Sequence, residues 1–130
     1  MIESQVIAFE SKPVLAYLTG ATDDDLDTLE FGVIGFDAAG VVRRYNALES
    51  QLAGLSRQRV IDNPLFTVVA PCMNNFLVAQ RFEDAAGAGA RLDDIIDYVL
   101  TLRMRPIKVK LRLLADSALP MRYLLVLRPQ

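Results

Sequence analysis

The sequence predicts an α+β domain with a five-stranded antiparallel sheet, because strand patterns and helix patterns occupy separate stretches of the chain. Alternating or continuous apolar runs, rich in β-branched and aromatic residues, predict strands at 31–36, 41–45, 95–104, 106–114 and 121–128. Between the second and third strands, residues 46–69 predict short helical pieces, and helical spacing of apolar residues predicts a longer helix at 76–86. The length of 130 residues predicts a single domain, 1–130.

The amino-terminal segment is predicted to be helical and loosely organised. Residues 9–18 mix apolar residues with the helix breaker Pro13. Thr22 is a helix-capping residue type, and the aspartates at 23–25 would meet the positive end of a short helix running to Leu29. We therefore expect residues 1–28 to form a helical cap.

Turn-forming residues separate the predicted elements. A glycine-containing loop at 37–40 predicts a hairpin between the first two strands. Residues 70–75 contain Pro71 and paired asparagines, which favour a loop. Gly87 and Gly89 are expected to end the long helix.

The last predicted strand is apolar at nearly every position, and such a strand must be covered on both faces of its sheet. The helical middle of the chain can cover one face, and the acidic cap can cover the other. We expect ligand space between the sheet and the middle helices.

The net charge of −2 conceals an uneven distribution. Residues 1–30 carry seven acids against Lys12, and residues 103–128 carry seven bases against Asp116. We expect these two regions to lie against each other in complementary fields. A nucleic-acid partner is not expected, because the sequence pI is near 5.1 and nucleic-acid domains are usually basic.

Composition excludes several kinds of chemistry. The chain has no histidine, so catalytic triads and imidazole metal sites are excluded. Its one cysteine, Cys72, cannot form an intrachain disulfide or a thiolate zinc cluster, and no metal site is predicted. Apolar stretches are far shorter than the ~20 residues that span a bilayer. With no signal-peptide pattern at the start, the predicted location is cytoplasmic.

Three residues are candidates for chemistry. Cys72 lies between Pro71 and a polar turn, a setting that suits ligand attachment, although a lone cysteine is commonly a small buried apolar residue. Tyr45 and Glu49 are four residues apart, so a helical turn would place them on one side. The plainer alternatives are a solvated surface acid at Glu49 and a core tyrosine at Tyr45.

Several short motifs together resemble the photoactive yellow protein family of blue-light sensors, which have the PAS fold. The resemblance extends from about residue 26 to residue 127, with the motifs in the same order and at nearly the same spacing. The matching residues are Tyr45-Asn46-Ala47, Glu49, Gly54, Val68-Val69-Ala70-Pro71-Cys72, Arg81-Phe82 and Met104-Arg105-Pro106-Ile107-Lys108-Val109-Lys110.

The resemblance implies a p-coumaric acid chromophore joined to Cys72 as a thioester. Tyr45 matches the tyrosine, and Glu49 the protonated glutamic acid, that hydrogen-bond the phenolate oxygen; Met104 matches a methionine that assists thermal recovery. Light would isomerise the chromophore, after which Glu49 would give up its proton. This would leave a buried, unpaired carboxylate, whose cost would loosen the cap.

The chain also departs from the family pattern. Ala53 and Leu55 occupy the places of a threonine and an arginine over the chromophore, and Leu100 and Leu102 replace aromatic residues. We therefore expect a more apolar pocket, with altered absorption and recovery.

Two other functions stay open on the sequence. One is a light-independent PAS module that binds a ligand or a protein, with Cys72 free or differently modified. The other is an enzyme with Cys72 as nucleophile and Glu49 as base, which is disfavoured because no neighbouring cation lowers the thiol pKa. The photoreceptor would signal without turnover, through a downstream protein that the sequence does not name, and pairing with a second copy is left open.

Overall fold

The computed structural model describes residues 7–101 and 105–129. At its centre is a five-stranded antiparallel sheet of order β2-β1-β5-β4-β3, which confirms the predicted α+β architecture. The strands are Gly32–Phe36 (β1), Val42–Tyr45 (β2), Leu92–Leu100 (β3), Ile107–Ala115 (β4) and Arg122–Leu127 (β5).

The helices lie before β1 and between β2 and β3. They are Val14–Gly20 (α1), Asp23–Leu26 (α2), Ala47–Ala53 (α3), Arg57–Val60 (α4) and Ala79–Ala88 (α5). A π-helical turn, Leu65–Val69, and a 3-10 turn, Pro71–Met73, connect α4 towards α5.

Apolar residues cover both faces of the sheet, as the composition of β5 predicts. On one face, β-strand residues such as Leu111 and Leu124 pack with Phe82 of α5 and with the turns around Cys72. On the other face, Leu114 and Leu125 pack against the amino-terminal segment. We call residues 7–28 of that segment the cap. Adjacent strand residues thus contribute to two separate cores, because their side chains alternate between the faces.

The local signals in the cap produce the expected structure. Thr22 accepts a hydrogen bond from the backbone N–H of Asp25, and the Asp25 carboxylate accepts one from the N–H of Thr22, so the two residues form a capping box. Helix α1 begins directly after Pro13, where the missing proline N–H costs no helical hydrogen bond.

Arginines attach the cap to the sheet. Arg44 of β2 donates to the carbonyls of Leu18 and Ala21 at 2.7 and 2.5 Å. Arg112 of β4 donates to the carbonyls of Phe9 and Ser11 at 2.9 and 2.8 Å. Backbone carbonyls of the cap are therefore the acceptors that bind it to the sheet.

The amino-terminal segment lies against the basic segment 103–128, as predicted, through Arg112, Leu114 and Leu125, but among the described residues its acids form no ion pairs with the bases of that segment. The cap aspartates Asp23 and Asp27 pair instead with Arg44 and Arg57, which lie outside that segment. Arg112 pairs with Asp93 of β3. The charge distribution along the sequence indicated which segments attract each other but not which residues form ion pairs. Each charged side chain pairs with the group of opposite charge that the fold places within its reach.

Several predicted boundaries are wrong. The short cap helix ends at Leu26 and not at Leu29, and the strand predicted to reach residue 104 ends at Leu100. Strand β3 also begins at Leu92 and not at residue 95, because Asp93, which looks unfavourable in a strand, pairs with Arg112 of β4. Helix α5 begins at Ala79 and not at residue 76. The Asn75 side chain accepts from the backbone N–H groups of Leu77 and Val78 and holds a turn there. The helix ends at Gly89, whose φ of 61° glycine adopts without strain.

No helix within the described ranges is long and apolar enough to cross a membrane.

Candidate functional site

Asn46 fixes the position of helix α3 on the sheet. This buried residue caps α3, and its side-chain oxygen accepts from the backbone N–H of Glu49 at 3.1 Å and of Val33 at 2.9 Å. Its amide nitrogen donates to the carbonyls of Leu26 and Phe31, both at 3.0 Å. One asparagine thereby links the cap, β1 and the first turn of α3, and turns Glu49 inward.

Glu49 forms a buried ion pair with Arg128, the residue that follows β5. Nη1 of Arg128 lies 2.6 Å from Oε1 of Glu49, and Nη2 lies 3.1 Å from Oε2. The side chains are 2% and 10% exposed, respectively. Nε of Arg128 is also buried and has no hydrogen-bond acceptor among the described residues. Each carboxylate oxygen therefore accepts a hydrogen bond from Arg128, while the guanidinium Nε lacks an acceptor among the described residues.

Burial governs the protonation of the two acidic groups here. Burial raises the pKa of Glu49, and the hydrogen bonds and charge of Arg128 oppose this rise. The pKa of Tyr45 is raised too, first by burial and then by the nearby Glu49 charge, with Arg128 acting in the opposite sense. Tyr45 is therefore a neutral phenol, available as a hydrogen-bond donor. Because the charges of Glu49 and Arg128 both act on the pKa of Tyr45, the three residues form one electrostatic cluster.

Cys72 lies in the 3-10 turn and is half-buried. Its backbone carbonyl accepts a hydrogen bond from the hydroxyl of Tyr98 at 2.5 Å and from Nδ2 of Asn75 at 3.2 Å. Nδ2 of Asn75 also donates to the Tyr98 hydroxyl oxygen at 2.7 Å. The backbone of the cysteine turn is thus fixed while the thiol carries none of these bonds.

A cavity of about 280 Å³ lies beside the cysteine. Its lining residues are Ala53, Gly54, Leu55, Val69, Pro71, Cys72 and Thr101. Ala53 follows Glu49 by four residues on α3, and both are buried, so they share one face of the helix about 5–6 Å apart. The acid–arginine pair therefore lies one helical turn from the cavity that contains the thiol.

The structure brings together most of the predicted site. Tyr45 and Glu49 form one cluster, and Cys72, Ala53 and Leu55 line the adjoining cavity. Met104 and Leu102 fall outside the described residues, and Leu100 is buried in the core on the helical side of the sheet. The alternative of a solvated surface acid at Glu49 is wrong, because the side chain is 2% exposed.

No sequence pattern predicted Arg128, Asn75 or Tyr98 as site residues. Arg128 is 79 positions from Glu49 and was counted only as one base of the carboxy-terminal segment. Asn75 was assigned to a turn, and Tyr98 to a strand. The asparagine pair after Cys72 was the only local signal that the cysteine turn is held by side-chain bonds.

A second, more open groove of about 840 Å³ lies at the ends of β3, β4 and β5. It is bordered by Tyr98, Lys108 and Arg128. The smaller cavity is the better candidate site because it contains the thiol and adjoins the helix that carries Glu49.

Comparison with known proteins agrees with this geometry. No protein-family model matches the chain. A photoactive yellow protein of Halochromatium salexigens is 34% identical over 108 residues, 83% of this chain and 86% of the relative. Another, of Rhodothalassium salexigens, is 32% identical over 109 residues, 84% and 86% of the two chains.

Solved structures show the same relationship. The photoactive yellow protein domain of the sensor histidine kinase Ppr from Rhodospirillum centenum superposes with a TM-score of 0.78 at 34% identity, covering 85% of this chain and 96% of that one. The PAS domain of the Cronobacter turicensis quorum-sensing receptor RpfR has a TM-score of 0.59 at 16% identity, covering 77% and 94%, and shows the fold alone.

The five-stranded sheet, with its helices on one face and its cap on the other, is that of a PAS-fold sensor domain. Within that class, identity above 30% over most of the chain decides the family. The chain belongs to the photoactive yellow protein family.

Proposed function

We propose that this protein is a blue-light photoreceptor that carries p-coumaric acid as a thioester on Cys72. One observation carries the proposal: the thiol lines a cavity of about 280 Å³, and the buried cluster of Tyr45, Glu49 and Arg128 lies one helical turn away. The residues fit such a group. The cavity is next to the thiol, and the buried Nε of Arg128 lacks an acceptor among the described atoms, as expected where an anionic oxygen would bind.

The chromophore would supply a phenolic oxygen and a double bond that isomerises in light. Tyr45, kept as a phenol by burial, would donate a hydrogen bond at the phenolic end. In the dark state Glu49 would hold a proton, because a carboxyl buried beside an anion favours its neutral form. After illumination Glu49 would transfer that proton to the phenolate oxygen of the chromophore.

The cap is the proposed switch. It is attached largely through the Arg44 and Arg112 bonds to backbone carbonyls and through one apolar cluster. A terminal segment held in this way can open at lower free energy than the sheet itself. A change at Glu49 can reach the cap through Asn46, which bonds both the Glu49 N–H and the carbonyl of Leu26.

Ala53 and Leu55 would give the chromophore apolar neighbours on the cavity side. We expect this environment to change the absorption maximum and the recovery rate and to leave attachment at Cys72 intact. Met104 keeps its proposed role in thermal recovery.

The protein would act by binding and signalling and not as an enzyme. It would function in the cytoplasm through contact with a downstream signalling protein, without nucleic acid or membrane, and pairing with a second copy would be compatible with this role.

A light-independent PAS module is the second candidate, and one observation favours it. Arg128 engages both oxygens of Glu49, which leaves this carboxylate without a proton to transfer. In that case the cavity would bind a ligand without covalent attachment, and Cys72 would be free or differently modified.

The test is to incubate the purified apoprotein with activated p-coumaric acid and to record its intact mass and its visible spectrum, before and after a blue flash. The proposal expects a mass gain of one chromophore and a visible band that bleaches and recovers. Cys72→Ser, which removes the chain's one thiol, is the matched control and should gain neither. Absence of labelling in the wild type would favour the light-independent module.

A further inference from the structure

The Glu49–Arg128 pair has the geometry of an ionised carboxyl. Two guanidinium nitrogens donate to the two oxygens in a bidentate arrangement. A neutral carboxyl would have one lone pair fewer for these donors, and arginine, which has no acceptor, could not receive its O–H hydrogen. The bidentate contact therefore favours the carboxylate in the ligand-free protein, against the burial that raises the pKa of Glu49.

The groups that face Glu49 make Arg128 its counter-ion. From β2 the facing group is Tyr45, a neutral phenol, and β1 presents Gly32, which carries no charge. Asp27 and Arg57 meet the start of α3 from outside and pair with each other. Among the described residues, Arg128 is the cation that contacts Glu49.

The proposed photocycle requires Glu49 to be neutral in the dark and ionised after proton release, so the carboxyl must alternate between two states. We infer that Arg128 is the counter-ion that receives the Glu49 carboxylate once its proton has left, and that this pairing lengthens the life of the proton-transferred state. The inference rests on the proposed function. In the dark state the same guanidinium has its unused, buried Nε available for the anionic oxygen at the Tyr45 end.

The change of binding partner at Arg128 determines which protons move during loading and illumination. Loading would convert Glu49 from carboxylate to carboxyl as the chromophore's phenol becomes a phenolate, so the proton that the phenol loses balances the one that Glu49 gains, and the Glu49–Arg128 pair opens. After illumination the proton would pass from the Glu49 carboxyl to the phenolate oxygen, and the pair seen here would form again. The expectation of an unpaired buried carboxylate is therefore replaced by a paired one, whose cost is much lower.

The first measurement uses the unloaded protein and is independent of light. Glutamate is labelled with carbon-13 at the side-chain carboxyl, Glu49 is assigned through Glu49→Gln, and its protonation is followed by NMR across pH. We expect an ionised Glu49 at neutral pH in the wild type. In Arg128→Met the carboxyl should bind its proton about tenfold to a thousandfold more tightly.

The matched control is Arg122→Met, which removes the same charge from the same end of the chain without touching Glu49. It should titrate like the wild type. The double variant Arg128→Met with Glu49→Gln removes both charges and checks that the fold survives. A neutral Glu49 in the wild type, or an unchanged titration in a folded Arg128→Met protein, would overturn the inference.

The second measurement uses protein loaded at Cys72. After a blue flash, Arg128→Met should return to its dark spectrum at least about tenfold faster than the wild type, because its carboxylate has no counter-ion. Arg128→Lys, which keeps the charge and loses the bidentate contact, should lie between the two. Recovery at the wild-type rate in Arg128→Met would overturn the inference about lifetime. If the wild type takes up no chromophore, the proposed function fails, and the NMR titration alone decides whether Arg128 controls Glu49.

Discussion

Gly32 of β1 lies against the Glu49 carboxylate so closely that a Cβ at this position would stand 2.0 Å from Oε1. That is well inside van der Waals contact, so no other residue type fits here unless the carboxylate moves. The missing side chain at Gly32 thus creates the space in which Glu49 meets Arg128. The Glu49–Arg128 ion pair therefore depends on the glycine in the neighbouring strand β1.

Gly32→Ala tests this relationship. The added methyl should displace the Glu49 carboxylate from Arg128 and lower the free energy of unfolding by about 1–3 kcal/mol. Urea denaturation measures the change. Gly87→Ala in α5, where an added Cβ meets nothing within 4 Å, is the control and should raise stability by about 0.4–1 kcal/mol. Equal effects of the two substitutions would show that Gly32 does not restrict Glu49.

Arg44 is predicted to hold the cap closed. Arg44→Met removes the bonds to Leu18, Ala21 and the Tyr123 hydroxyl, and should weaken cap attachment by about 1.5–3 kcal/mol. Amide hydrogen exchange should then become faster in α1 and α2 while the central strands keep their protection.

The neighbouring residue provides the control for Arg44. Arg43 forms exposed ion pairs with Asp37 and Asp62, and no hydrogen bond or ion pair among the described residues joins its side chain to the cap. Arg43→Met should leave exchange in the cap near the wild-type rate. Faster exchange throughout the protein in Arg44→Met would instead mean that Arg44 supports the whole fold.

Tyr98 is predicted to keep the cysteine turn closed. Tyr98→Phe removes the hydroxyl that donates to the Cys72 carbonyl at 2.5 Å, and the loss of about 0.5–1.5 kcal/mol corresponds to a two- to tenfold gain in opening. The rate at which the Cys72 thiol reacts with a disulfide reagent should rise by about that factor. Tyr17→Phe, on the cap, removes a hydroxyl far from the turn and should not change the rate. A slower reaction in Tyr98→Phe would contradict this role.

The sheet, the cap and the position of the cysteine could be predicted because their signals are local. Alternation in β4, the Thr22 cap and the turn after Ala70 each depend on residues close in sequence. Boundaries failed where a side chain competed with the regular pattern. Asn75 bonds the N–H groups that helix α5 would otherwise include, and Asp93 enters β3 because its carboxylate pairs with Arg112 of the neighbouring strand β4.

The ion pair could not be predicted, because its two residues are 79 positions apart in sequence, with three of the five strands between them. Glu49 was recognised through the motif around it, whereas the importance of Arg128 depends on where β5 ends relative to α3. The contacts of Arg44 could not be predicted either, because its acceptors are distant in sequence and are cap carbonyls, which carry no sequence signature. Pairing of buried charges is a property of the completed fold, and the charge count along the sequence did not identify the partners of these arginines.

Asp27 gives the cap an acid-sensitive contact. Its carboxylate accepts from the backbone N–H of Ala47 at 2.8 Å and pairs with Arg57. Partial burial acts to raise the pKa of Asp27, but the bonds from Arg57 and Ala47 together lower it below its ordinary value. A carboxyl with a lowered pKa stabilises the folded state at pH values above its unfolded pKa. This contribution to stability is lost as the pH falls, first through the pKa that Asp27 has in the unfolded chain and then through its lowered pKa in the folded protein.

Removing Asp27 should therefore matter at neutral pH and not in acid. Asp27→Asn is expected to be less stable than the wild type at pH 7, and the difference should shrink as the pH falls below about 4. Urea denaturation of both proteins between pH 7 and pH 3 measures this. Asp24→Asn removes a charge from the same helix, where the aspartate side chain makes no hydrogen bond or ion pair with the described residues, and should stay close to the wild type throughout. A difference between Asp27→Asn and the wild type that is constant with pH would show that the Asp27 contacts do not depend on its charge.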